Sequence, residues 1–398
     1  MEDTKHYFQL KGKNAEKIVH GLAEKSFLTD WCYPNPTLQS GKELCDLLVV
    51  FDNVAIIWQI KDLRLDKNGK YKKAEVDKNL RQLSGAQRQL FELKSKIELS
   101  NARRGKEIFD PNSITEVYLI SVLLGEGEDY YSALEEIKGH NVHVFTKEFT
   151  QIVLNELDTI NDFCTYLRLK EKFFTEKPRS IIVSGGEQEL LAAYLRGGRS
   201  FVDYEKADKI FLDGGIWDGL LKEPRFIKKK KLDKISYGWD SIINRAHTGS
   251  SKYEVVAREL ARPNRFERRY LSKVFMEAHV MAHEDKSGAD LFRRIMPSEG
   301  VTYCFLFMDD FEEPRTKRQA MLASIGYFAR GKFPQNKKVI GIATEKKLRP
   351  ISSYDFVLVD IPIWNDEDQK KVEQLQKETG MFVNPIMGEA HEDEYPEN

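Results

Sequence analysis

The stretch CDLLVVFDNVAIIWQIKD, Cys45 to Asp62, is two apolar runs meeting at an Asp-Asn pair, a pattern that leaves little room for anything but a tight β-hairpin. With Asp52 and Asn53 as the turn, Phe51 pairs with Val54. Each step outward keeps the sum of the paired numbers, so Asp46 lies opposite Gln59. Side chains alternate along a strand, so Asp46, Gln59 and Lys61 share one face while Trp58 and Ile60 point to the other. Ala55 and Ile57 precede Gln59 on that first face, which therefore begins as core and ends in a carboxylate, an amide and an ammonium. A lone buried Lys is costly, whereas one beside a carboxylate or a phosphate has a partner for its charge.

Around the hairpin the periodicity is mixed. Ile18, Val19, Leu22 and Ala23 recur at helical spacing behind Asn14, a candidate N-cap, and predict a helix over about 14–28. After the hairpin strands, 46–51 and 54–61, come the polar stretch RLDKNGKYKK, a long helix over 75–98 marked by Val76, Leu80, Leu83 and Leu90, and two strands, EVYLISVLL and NVHVFT. Helical spacing returns from Thr146 to about Phe174. SIIVSGGEQELLAAYL then reads as strand, turn and helix, with Gly185-Gly186 a plain turn rather than a phosphate loop. Further helices run to about 295, followed by strand 301–308, helix 314–330 and strands 338–343 and 355–360. A chain of 398 residues, 41% hydrophobic, suffices for two or three domains. The expected division is 1–150, a helical and α/β connecting region with a basic stretch over 151–240, a helical plus α/β domain over 241–388, and an acidic, disordered tail over 389–398.

The net charge of −1 points to neither a polyanion binder nor a polyanion mimic as a whole. It conceals a segment, 222–273, with fifteen Lys or Arg against six acids. Within it, Lys228, Lys229, Lys230, Lys231, Arg265, Arg268 and Arg269, interleaved with Phe226, Tyr237, Trp239 and Phe266, are candidates to track a phosphate backbone. Cys32, Cys45, Cys164 and Cys304 have no CxxC spacing and read as reduced thiols. The N-terminus lacks a hydrophobic signal core and no apolar run approaches the ~18 residues that span a bilayer, so the expected location is the cytoplasm and no membrane partner is expected. His279 and His283, at i and i+4, lack a third ligand and read as helix-face histidines.

The hairpin's polar end suits phosphodiester hydrolysis. Asp46 offers Mg²⁺ a hard oxygen, the Gln59 amide oxygen and the Ile60 carbonyl add neutral ones, and waters complete the shell. The metal acidifies an attacking water, and Lys61 orients it or offsets charge developing on the phosphate. This pattern, Asp46 followed by Gln59-Ile60-Lys61 behind a helix carrying Glu16, resembles the PD-(D/E)XK nuclease superfamily, in particular its Mrr-like branch, over about residues 10–146. The resemblance implies a restriction-endonuclease-like αβββαβ core at the N-terminus, and with the pattern of the later segments the expected fold is an α/β chain in which that core is followed by a helical region and a second small α/β module. It further implies that Glu16 reaches the metal, with Glu43 a rival just before the hairpin. Gln59 departs from the commoner acidic residue, which should weaken metal binding.

The leading expectation is a Mg²⁺-dependent endonuclease, with Mn²⁺ a possible substitute, that cuts nucleic acid, DNA before RNA. Its C-terminal regions would serve target choice or assembly into a homo-oligomer, and the resemblance suggests restriction or anti-phage defence. The alternative is a catalytically inactive nuclease-fold protein that binds nucleic acid or acts as a scaffold.

Overall fold

The computed structural model describes residues 16–63, 68, 71–93, 97–125, 133–383, 385–389 and 391–396. The expected N-cap Asn14, most of the polar stretch 64–70 and parts of the acidic tail lie outside these residues. The chain is mixed α/β with several sheets and divides into two compact units, Met1–Ile227 and Lys228–Asn398. The expected connecting region 151–240 is thus shared between them.

In chain order, the first unit contains α1 (16–27), β1 (Cys32–Pro34), β2 (Leu47–Phe51), β3 (Val54–Lys61), α2 (Lys73–Gln87), β4 (Ile97–Asn101), β5 (Gly105–Phe109), β6 (Glu116–Leu123), β7 (Leu134–Ile137) and β8 (His140–Thr146). These are followed by α3 (Lys147–Glu156), α4 (Ile160–Thr175), β9 (Ser180–Val183), α5 (Glu187–Arg196), β10 (Lys209–Leu212) and α6 (Ile216–Lys222). The main sheet has the order β1-β2-β3-β6-β8-β7. β1, β2 and β3 form an antiparallel meander, and β6 and β8 continue it in parallel with β3. Leu47 pairs with Trp58 and Phe51 with Val54, the register expected from an Asp52-Asn53 turn.

The hairpin strands are apolar on both faces because both are covered. On one face Leu48, Ala55 and Ile57 pack with Val76, Leu80 and Leu83 of α2. On the other, Trp58 stacks on Phe163 of α4 at 5.7 Å and meets Phe27 of α1 at 6.4 Å. The helix expected to reach 98 stops sooner: α2 ends at Gln87 and a π turn carries it to Glu92. Beyond lies the β4-β5 hairpin, where buried Ile97, Leu99 and Asn101 alternate with exposed Glu98 and Ser100, the two-residue period of a strand.

The second unit comprises α7 (Pro224–Leu232, which crosses the boundary), α8 (Tyr237–Gly249), α9 (Glu254–Ala261), α10 (Arg265–Glu284), β11 (Leu291–Pro297), β12 (Val301–Met308), α11 (Thr316–Lys332), β13 (Lys338–Thr344), β14 (Asp355–Asp360) and α12 (Asp366–Thr379). Helix was expected to about 295, but α10 ends at Glu284 and β11 pairs antiparallel with β12. β12 and β13 are parallel, joined through α11, and β14 closes the four-stranded sheet. Leu322, Ile325 and Ala329 of α11 cover one face. Gly341 permits this close approach, since a Cβ there would lie 2.5 Å from Val357 and 2.9 Å from Leu322. Phe275 and His279 of α10 cover the other, at 5.2 Å from Phe305 and 4.8 Å from Phe307.

The tail is seated, not disordered, over its described residues. Arg269 donates to the main-chain carbonyls of Asp393, at 2.6 Å, and Glu394, and pairs with the Glu392 carboxylate at 3.0 Å. The acidic run lacks apolar periodicity, yet it finds order on a buried guanidinium. All four cysteines are buried thiols, and among the described residues no helix is long and apolar enough to cross a membrane.

His143 of β8 is fully buried, with Nε2 3.0 Å from Glu171. Burial lowers its pKa from 6.5 to about 4 despite that carboxylate. The unfolded imidazole takes up a proton first, so the stability owed to its neutral form is complete above pH 6.5 and is lost as pH falls through 4. Thermal melts should show wild-type stability dropping more steeply than that of His143→Gln between pH 6.5 and 4, by up to about 3 kcal/mol across the window. Equal slopes would assign the acid sensitivity to other groups.

Candidate functional site

β2 begins only at Leu47, paired with Trp58, while β3 continues to Lys61, so the last residues of β3 have no β2 ladder partner on that side. Asp46 supplies them instead. Its amide donates to the Trp58 carbonyl at 3.1 Å. Its carboxylate Oδ2 accepts from the Ile60 N–H at 2.5 Å and from Gln59 Nε2 at 2.6 Å. A backbone donor deep in a sheet needs an acceptor, and here a side chain provides it.

The Asp46 carbonyl accepts two further bonds, from the Asn35 N–H at 3.0 Å and from His20 Nε2 at 2.9 Å. A carbonyl only accepts, so His20 carries its proton on Nε2. Burial lowers the His20 pKa, which favours the neutral ring. Asn79 of α2, fully buried, donates to Ser121 at 2.8 Å and reaches the Gln59 carbonyl at 3.4 Å, tying helix and strands together behind the site.

Asp46 and Gln59 are each 4% exposed, whereas Lys61 and Glu16 are partly buried and Glu43 is exposed. Burial pushes the Asp46 carboxyl up to about 7. The Ile60 N–H and the Lys61 charge oppose this; the Glu16 charge and a side-chain hydrogen bond with Glu43 reinforce it. The structure therefore joins Asp46 to Gln59 and Ile60 by hydrogen bonds, sets the rival Glu43 in hydrogen-bond reach of Asp46, and leaves Glu16 and Lys61 near enough for their charges to act on it. His20 escaped the sequence reading, although it lies one helical turn after Glu16. On α2, Gln82 is exposed, and the polar side chain buried behind the site is Asn79.

The buried Asp46 carboxylate, with Glu43 in hydrogen-bond reach and the Glu16 and Lys61 charges acting on it, is a hard oxygen donor of the kind that Mg²⁺ accepts. These groups do not form a closed cage: among the described residues, no group of three or more His, Cys, Asp or Glu is gathered closely enough to hold a metal ion. Mg²⁺ commonly takes one or two carboxylates and completes its shell with waters and substrate phosphate. Two expected ligands are turned differently. Gln59 presents its amide nitrogen, not its oxygen, to Asp46, and it is the Ile60 N–H that meets the carboxylate.

The basic segment is largely self-neutralised. Lys229 pairs with Asp233 at 2.5 Å, Arg265 and Arg268 each meet Asp240 at 2.8 Å, and Arg269, fully buried, pairs with Asp233 at 3.0 Å. These four expected nucleic-acid contacts are structural ion pairs; Lys228 and Lys230 are partly buried, and Lys231 is exposed. His279 packs on Phe307, and His283 accepts from the Leu348 N–H at 3.4 Å. No family model, curated protein or solved structure matches the chain.

Two outcomes follow from this geometry. A chain ending at Gly388 leaves Arg269 without its tail acceptors and should lose on the order of 2 kcal/mol of stability in denaturant titration; an unchanged midpoint would make the docked tail incidental. For Asp46, the proton is held more tightly in the folded state, so the stability this gives is full below the unfolded value of 3.8 and disappears as pH rises through 7. Asp46→Asn, which keeps an acceptor for Ile60, should therefore be more stable than wild type at pH 8 by roughly 2 kcal/mol, with the gap closing at acid pH. Mg²⁺ should raise the wild-type Tm at pH 8 and leave that of the variant unmoved. A variant less stable than wild type at pH 8 would mean that the carboxylate serves the fold.

Proposed function

We propose that the first unit is a nuclease domain of the PD-(D/E)XK type, Mg²⁺-dependent and able to use Mn²⁺, that hydrolyses phosphodiester bonds in nucleic acid, DNA before RNA. The observation that carries this reading is the convergence of Asp46, Gln59 and Lys61 at the open end of one hairpin, with Glu16 and Glu43 beside them. The element order supports it: α1, the meander β1-β2-β3, α2, then β6 parallel to β3 follow an αβββαβ core, with β4-β5 inserted before the last strand.

When bound, Mg²⁺ supplies Lewis acidity and an acidified water at phosphorus. The protein's own residues do the rest. Asp46, fixed through Oδ2 by Ile60 and Gln59, presents a carboxylate that needs no reorganisation. Lys61 places a positive charge where the phosphate gains negative charge. Gln59 holds Asp46 in place. In this reading the protein acts in the cytoplasm, in restriction or anti-phage defence, and its C-terminal unit serves target choice or homo-oligomer assembly.

A second reading, a nuclease-shaped binding or scaffold protein without activity, draws on Gln59, which stands where an acid is usual and bonds Asp46 rather than leaving its oxygens to a metal. A cleavage assay on duplex DNA, single-stranded DNA and RNA with Mg²⁺ or Mn²⁺ separates the two. Wild type should cut at least one substrate, and Lys61→Ala should cut on the order of a hundredfold more slowly or worse, with binding and Tm retained. Wild-type-like cleavage by Lys61→Ala would place the chemistry elsewhere; binding without cleavage by wild type would favour the scaffold.

A further inference from the structure

Several arginines of the second unit are committed to carboxylates. Arg258, Arg265, Arg268, Arg269 and Arg318 each hold a carboxylate at 3.0 Å or closer. Arg245 on α8 and Arg349 in the β13–β14 loop have no carboxylate partner among the described residues, and both are exposed. These two line the same cleft, of about 170 Å³, with Ser241, Ser352, Tyr354 and Met276. The Arg349 guanidinium is positioned over the Phe311 ring at 4.3 Å. The Tyr354 phenol, in the same lining, is pushed up by burial, with the Arg245 charge pulling it back and the Glu345 charge adding to the rise.

The lining describes its ligand. Two guanidiniums and hydroxyl groups offer more donors and more positive charge than one carboxylate can use, and they match a phosphate monoester, a near-dianion with three terminal oxygens. Ile242, Phe275 and Pro350 add apolar lining, so the phosphate carries an organic body. That body is small, because the cleft falls well below the ~300 Å³ at which pockets for drug-sized ligands begin.

We infer that this cleft binds a small phosphate monoester, its phosphate held between Arg245 and Arg349 and a pentose-sized body against the apolar lining. The site is independent of the hairpin site, and its test reads binding, not cleavage.

Isothermal titration of the full chain in chloride buffer with inorganic phosphate, ribose 5-phosphate and AMP, and with ribose and adenosine as uncharged controls, tests it. Ribose 5-phosphate should bind more tightly than inorganic phosphate, and neither control should bind. AMP binding no tighter than ribose 5-phosphate supports the pentose-sized body, and AMP binding clearly tighter overturns that size limit. Arg245→Gln and Arg349→Gln should each weaken binding on the order of tenfold or more, with Tm unchanged because both side chains are exposed. Arg349→Lys, which keeps the charge and loses the fork, should fall between wild type and Arg349→Gln. Silence toward all three phosphates at millimolar concentration, or wild-type affinity in the double Gln variant, overturns the inference.

Discussion

Asp46 ties the end of the hairpin together through its side-chain acceptor and its backbone. It accepts the Ile60 N–H that β2 no longer reaches, and it anchors the Gln59 amide. Its backbone carbonyl meanwhile gathers His20 from α1 and Asn35 from the β1–β2 connection. One residue thus ties a helix, a loop and a strand end to the same point. The arrangement works against the carboxylate's own charge, because burial and neighbouring acids favour its protonated form. Such opposition between structure and electrostatics is found at sites whose charge is completed by something else, a cation or a substrate.

The hairpin was legible in the sequence because two independent signals agreed. The Asp52-Asn53 pair set the turn, and the alternation of Ala55, Ile57, Gln59 and Lys61 set the face. Strands β12 and β14 were legible because apolar runs of strand length were bounded by polar residues. The β4-β5 hairpin was hidden for the opposite reason. Leu83 and Leu90 carry helical spacing up to its edge, and the stop is made by a π turn with no Pro or Gly to announce it. β11 was hidden because its neighbour α10 is strongly helical and Arg293 and Arg294 disguise the alternation of Leu291, Ile295 and Pro297. Which helical polar residue faces the site depended on the rotation of α2, and a shift of three positions separates inward Asn79 from outward Gln82.

Charge was the least legible property. Counting along the segment 222–273 shows an excess of cations, but a count along the chain cannot show which acids fold onto them. Asp240 neutralises Arg265 and Arg268 from 25 and 28 residues away, and the tail reaches Arg269 from more than a hundred. The driving force is desolvation. A guanidinium as buried as Arg269 is tolerable only with acceptors around it, so the fold draws acidic and carbonyl groups to such positions wherever they lie in sequence.

The same rule separates charges that support the fold from charges left to do chemistry. A buried, paired guanidinium has its hydrogen bonds already committed, and the protein loses stability if a ligand competes for them. A guanidinium at the lip of a cleft keeps its water shell in the free protein and exchanges it for phosphate oxygens at little structural cost. Arg245 and Arg349 are of the second kind, in a unit whose buried arginines are of the first. The hairpin site shows the opposite imbalance, carboxylates gathered with one ammonium. Local electroneutrality prevails where burial demands it, and the proposed cationic cleft and the carboxylate at the strand end stand apart from that rule in opposite directions.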